Sequence, residues 1–95
     1  MAGVSSVFKA LANPNRLRVY QAVCSQNGNG RGLTIEQICR AVRMKQPAVS
    51  THVARLAAVG LVVRTKSRWW VHCTASRQAR ALIARFARKP DAVEP

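Results

Sequence analysis

The chain has 95 residues, of which 48% are apolar and 5% aromatic, and its sixteen Lys and Arg against three acids give a formal net charge of +13. That length predicts one domain with a modest, aliphatic and mostly helical core that gains from a partner subunit. The charge attracts polyanions, phosphate backbones before anionic membranes or acidic proteins, and the scarcity of carboxylates excludes most acid-base catalysis.

No stretch approaches the roughly 20 apolar residues that span a bilayer, and the first residues lack a basic segment followed by an apolar run and a cleavage site. A cytoplasmic protein with no membrane partner is expected. Cys24, Cys39 and Cys73 are odd in number, widely spaced and in no Cys-x-x-Cys pair. They read as small reduced hydrophobes rather than as a disulfide framework or a zinc ribbon.

Val4, Val7, Phe8 and Leu11 recur at i, i+3, i+4 and i+7, which predicts a short first helix with Ser5 or Ser6 near its start. Asn13-Pro14 is a helix-start signal, and Leu17, Tyr20, Val23 and Cys24 mark the inner side of a second helix ending near Gln26. The glycine-rich run from Asn27 to Gly32 reads as a loop. Thr34 and Gln37 stand three apart ahead of Ile38, Ala41 and Val42, a capping-box arrangement that predicts a third helix over 35–42.

After Arg43-Met44-Lys45, Pro47 opens a fourth helix with Val49, Val53, Leu56 and Ala57 inward and Gly60 placed for a left-handed C-terminal cap. Two helices joined by so short a turn form a helix-turn-helix. The period then changes: residues 61–66 and 69–74 predict a two-stranded hairpin with Ser67-Arg68 between the strands. Thr74 or Ser76 can cap a fifth helix carrying Ala79, Leu82, Ile83 and Phe86 on one stripe and Arg77, Arg80, Arg85 and Arg88 elsewhere, which Lys89-Pro90 ends. Residues 1–90 thus read as one DNA-binding and dimerisation domain and 91–95 as a frayed tail.

A helix-turn-helix sets its second helix in the major groove. With Val49, Val53 and Leu56 inward, the helical period turns Ala48, Thr51 and Arg55 outward, with Gln46, Ser50 and His52 on the shoulders of the first turns. Gln46 has the donor and acceptor that adenine presents for, Arg55 can fork onto guanine or hold a phosphate, and Ser50, Thr51 and His52 suit either task. Arg64, Lys66 and Arg68 gather in the hairpin, where a wing meets the backbone or the minor groove.

The segments from Phe8 to Val19 and from Gln46 to Leu56, the latter followed by Gly60-Leu61-Val62 and by Arg68 to Val71, resemble the opening block, recognition helix and wing of the ArsR/SmtB family of bacterial winged-helix repressors. The resemblance spans residues 7 to about 75. It implies a mainly α winged helix-turn-helix, four helices, a small β-hairpin and a fifth helix, that dimerises through its first and last helices and represses by occupying a palindromic operator. Val4, Val7, Phe8, Leu11, Ala79, Leu82, Ile83 and Phe86 are the expected dimerisation residues, because a short helix with an apolar face needs another surface to cover it.

The chain also departs from the family pattern. Thr34, Ile35 and Glu36 stand where metal-sensing members place cysteines, and the last helix has no Asp, Glu, His or Cys. Adjacent strand positions point His72 and Cys73 to opposite faces. No metal and no cofactor are expected at the usual sites. Lys45 replaces the usual capping serine, which weakens the start of the fourth helix by about 1 kcal/mol and suits a phosphate contact.

Three other functions are compatible with parts of this pattern: a non-sequence-specific RNA or DNA binding module, a thiol-based redox-responsive regulator using Cys24 or Cys39, and an adaptor for an acidic protein. Catalysis is not expected. Before residue 91 there is one carboxylate, Glu36, no Ser/His/acid constellation, and no phosphate loop, since the Gly28–Gly32 run lacks both spacing and a preceding strand.

Overall fold

The computed structural model describes residues 3–25 and 31–87. In chain order these form α1 (Val4–Leu11), α2 (Pro14–Ser25), β1 (Leu33–Thr34), α3 (Ile35–Val42), α4 (Gln46–Ala58), β2 (Val62–Ser67), β3 (Trp70–Ala75) and α5 (Arg77–Ala87). Most of the glycine-rich connection, the expected stop at Lys89-Pro90 and the expected tail lie outside the described residues.

Local chemistry starts and stops the helices. The Asn13 Oδ1 accepts from the Arg16 amide at 3.0 Å at the head of α2. At α3 the Thr34 hydroxyl accepts from the Gln37 amide at 3.2 Å while the Gln37 side chain accepts from the Thr34 amide at 2.9 Å, so the reciprocal box is formed. Arg43 ends α3 in the left-handed region, φ 57° and ψ 47°, a conformation that costs a residue with a side chain roughly 1–2 kcal/mol. The guanidinium of Arg18 donates to the Val42 carbonyl, so α2 satisfies the last turn of α3 from outside.

The end of α4 is a Schellman turn. Gly60, at φ 84°, donates to the Ala57 carbonyl at 3.1 Å and Leu61 donates to the Leu56 carbonyl at 2.9 Å. Leu56 and Leu61 are both fully buried, supplying the apolar contact that accompanies this motif.

Several expectations are corrected. The first helix starts after Gly3 with Ser5 and Ser6 near its start as expected, but neither caps it, since the N-cap is Gly3 with no side-chain bond. Along α2 the buried residues are Val19, Tyr20 and Val23, with Leu17 only half-buried, because this helix packs against α1, α3, α4 and β3 and is enclosed on more than one side. Ala41 is exposed while Ile38 and Val42 carry the inner face of α3.

The sheet has three strands in the order β1-β3-β2, all antiparallel, where a two-stranded hairpin was expected. The extra strand is two residues long, with Leu33 opposite Cys73 and Thr34 opposite His72. In the hairpin, Val62 faces Ala75 and Ser67 faces Trp70, so the turn is Arg68-Trp69 and both strands lie one residue later than expected. The Schellman turn claims Leu61, and the shift puts Val62, Cys73 and Ala75 on the buried face; a one-residue slip would turn that face to solvent. Ser76, not Thr74, caps α5, its hydroxyl accepting from the Ala79 amide at 3.2 Å.

The core is aliphatic, built around Val19, Val23, Ile38, Val49, Val53, Leu56, Leu61 and Cys73. Gly32 closes one side of it. At φ 83° it passes so near β3 that a Cβ there would lie 2.3 Å from the Cys73 carbonyl oxygen and 2.6 Å from the Thr74 Cγ2. Gly32→Ala is therefore expected to cost about 2 kcal/mol or more, combining left-handed strain with displacement of β3; a urea midpoint equal to that of the parent protein would refute this.

Candidate nucleic-acid interface

The α3-turn-α4 unit exposes one side of α4 because the other is committed to the core. Val49, Val53 and Leu56 are at most 1% exposed, whereas Lys45, Gln46, Ala48, Ser50, Thr51 and Arg55 all face outward. Lys45 is the N-cap of α4 and makes no side-chain cap bond, which leaves the first-turn amides without a side-chain acceptor and puts a cation beside them. The Thr51 hydroxyl donates to the Pro47 carbonyl at 3.0 Å, so its proton is used within the helix and its oxygen faces out as an acceptor.

His52 lies on the shoulder of α4 between the inward and outward faces. It is half-buried, and its Nδ1 is buried without a hydrogen-bond partner. Desolvation, then the positive charges of Arg16 and Arg55, hold its pKa below the ordinary histidine value. Arg16, from the start of α2, donates to the Ala10 carbonyl at 3.3 Å and keeps a buried, unpartnered Nε. With Lys9 and Arg55 it lines a groove of about 290 Å3 between α1 and the second half of α4. Sequence reading missed Arg16, since nothing along the chain announces that the head of α2 returns to the flank of α4.

In the hairpin, Arg64 pairs with Cys73 and Lys66 with Val71, so both cations stand on the sheet face that is buried nearer the base. They are exposed there, and Arg68 occupies the turn at φ 55°. Trp69 and Trp70, also missed, are 87% and 51% exposed at the same tip. Together with Gln46, Thr34 and Glu36 they border a groove of about 210 Å3 between the hairpin tip and the start of α4.

The cysteines have different surroundings. Cys73 is buried, and desolvation raises its thiol pKa against a smaller lowering by Arg64, which keeps it protonated and unreactive at neutral pH. Cys24 and Cys39 are half-buried and pack against the core. Among the described residues no group of three metal-ligating side chains comes together.

The expected dimerisation residues divide into two sets. Val7 and Ala79 are fully buried within the protomer, so they hold α1 and α5 to the core and have no surface left for a second copy. Val4, Phe8 and Phe86 are 42%, 36% and 60% exposed, and Leu11, Leu82 and Ile83 are half-buried. Phe8 meets Phe86 edge-to-face with ring centroids 5.6 Å apart, joining the two terminal helices at this patch.

A three-residue turn between helices, with a basic antiparallel hairpin directly after the second, defines a winged helix-turn-helix. Residues 11–65 match the family described as the helix-turn-helix domain. The transcriptional regulator HlyU from Vibrio vulnificus CMCP6 is 30% identical, with 86% of this chain and 81% of that one aligned at a TM-score of 0.65. The antimony-specific transcriptional repressor AntR is 28% identical over 87% of this chain and 71% of its own, at a TM-score of 0.69. The homodimeric winged helix-turn-helix DNA-binding domain of Mb0332 from Mycobacterium bovis, a possible ArsR-family regulator, is 24% identical over 87% and 73%, at a TM-score of 0.73. The chain belongs to the ArsR/SmtB family of winged helix-turn-helix transcriptional regulators. No curated protein sequence gives a significant match. No helix among the described residues is long and apolar enough to cross a membrane.

Because folding lowers the His52 pKa, the unfolded chain binds this proton more readily, and the contribution of neutral His52 is present above the ordinary histidine value and lost as pH falls through the lowered one. Folding stability measured between neutral and mildly acid pH should decline in that window, and His52→Gln should flatten the decline; an unchanged slope in the variant would contradict the assignment.

Proposed function

We propose that the protein is a sequence-specific DNA-binding transcriptional regulator, a repressor that acts as a homodimer on a palindromic operator in the cytoplasm and needs no cofactor to bind. One observation carries the reading: α4 is anchored by three fully packed aliphatic residues and turns Gln46, Ala48, Ser50, Thr51 and Arg55 to solvent, the placement required of a helix that reads a major groove. His52 acts from the edge of this surface, and Arg64, Lys66 and Arg68 hold the backbone from the hairpin. Residues 1–90 act as one DNA-binding and dimerisation domain, with 91–95 as an appended tail.

The dimer follows from the apolar patch of Val4, Phe8 and Phe86, continued by Leu11, Leu82 and Ile83. A two-fold axis through α1 and α5 lets two copies cover each other's patch and sets the two recognition helices about one DNA turn apart. Mb0332, whose winged helix-turn-helix domain is homodimeric, supports dimerisation as such.

The proposal is tested by competition at fixed salt. A selected palindromic duplex should be preferred over bulk DNA by roughly a thousandfold or more, and equal affinity would identify a nucleic-acid-coating protein instead. Arg55→Ala or Gln46→Ala should cost about 1–3 kcal/mol and relax preference at particular base pairs. Lys45→Ala should weaken all sequences alike and reduce the salt dependence, and a loss confined to one base position would contradict its phosphate role. Phe86→Glu should give a folded monomer by sedimentation and circular dichroism; a persistent dimer would move the interface away from α5.

A further inference from the structure

The hairpin tip contradicts local preference twice. A two-residue turn whose first central residue has positive φ favours glycine there, yet this position holds Arg68 at φ 55°. The second central residue is Trp69, the most exposed large apolar side chain among the described residues. An aromatic side chain of this size buries about 150–250 Å2 when it finds a partner, and here it is presented to water on a strained turn. Such conflicts between local preference and fold concentrate at functional sites.

The surroundings specify the partner. The segment Val62–Ala75 carries Arg64, Lys66 and Arg68 and no acid, so it suits a polyanion that also offers apolar faces. Trp69 and Gln46 border one groove, so a strand lying along the start of α4 meets the indole next. Glu36 borders the same groove and repels phosphate from it, which leaves the groove to uncharged sugar and base edges and the phosphates to the hairpin cations. A single-strand binder needs successive aromatic platforms along a groove, and Trp69 and Trp70 occupy one tip.

We propose that the hairpin tip is an aromatic wedge for the minor groove: Trp69 lies against deoxyribose faces and base edges beside the segment contacted by α4, while Arg64, Lys66 and Arg68 hold the flanking phosphates. This rests on the DNA-binding reading above and extends it to the flanks, where sequence is sensed through groove shape and ease of unstacking.

The chain has two tryptophans, so Trp70→Phe leaves Trp69 as the only indole reporter. This protein is titrated with a labelled duplex of about thirty base pairs, three helical turns, following label anisotropy and indole emission together. Emission should change over the same concentrations as anisotropy. In the parent chain, Trp69→Ala should remain folded by circular dichroism and bind about tenfold more weakly with an unchanged salt slope, Trp69→Phe should recover part of the loss, and Arg68→Ala should lower the slope by about one.

Duplex binding with silent indole emission and an unaffected Trp69→Ala variant would overturn the wedge while leaving the DNA-binding reading intact. No duplex binding even in dilute buffer would overturn both. An equal or larger emission change with the unpaired strand, or with phosphatidylglycerol vesicles, would replace the wedge with a single-strand or lipid contact.

Discussion

The face that α4 turns to solvent depends on the inward row of Val49, Val53 and Leu56. Full burial of each contributes about 1.5–3 kcal/mol, enough together to fix the rotation of α4 about its own axis. That rotation decides which side chains reach solvent. The Schellman turn continues the row directly into Leu61 and Val62, so the packing that orients α4 also sets where the hairpin departs. Helix and wing therefore share one foundation, and a change in the row would disturb both.

Electrostatics acts in the opposite direction. Glu36 is the only carboxylate among the described residues, and the cations around α1, α2, α4 and the hairpin have little internal compensation. Such a surface repels itself and is relieved by a polyanion or by salt. His52 registers this locally, because Arg16 and Arg55 both add to the desolvation that disfavours its charged form. The stabilising core and the repelling surface are largely segregated: among the described residues no charged residue is buried as a whole, although the Nε of Arg16 reaches inside.

Features encoded within a few residues were legible from sequence. The Asn13 cap, the Thr34/Gln37 box, the limits of α3 and the role of Gly60 all depend on neighbours in the chain, and they occur where the pattern placed them, while α4 starts at Gln46, one residue before the proline expected to open it. Features set by distant partners were not. A two-residue strand has no periodicity to detect, and β1 exists only because β3 lies beside Leu33 and Thr34. Val19 replaced Leu17 as an inner residue because neighbours on several sides enclose α2. The hairpin frame turned on whether Leu61 closed a helix or opened a strand, a choice made by its contact with Leu56. In the candidate site the exposed cations were legible from charge, whereas the approach of Arg16 to His52 needed the tertiary path, and the two tryptophans carry no sequence signal beyond strand preference.

The contact between Phe8 and Phe86 ties together side chains from opposite ends of the sequence. Closing so large a loop costs entropy that one ring pair does not offset alone, so the contact relies on the packing of the elements between. The apolar patch shared by α1 and α5 takes its full form only when both helices are docked on the core. Without α5, Phe8 would lose its aromatic neighbour and α1 alone would carry only part of the apolar surface, so the two helices depend on each other for its shape.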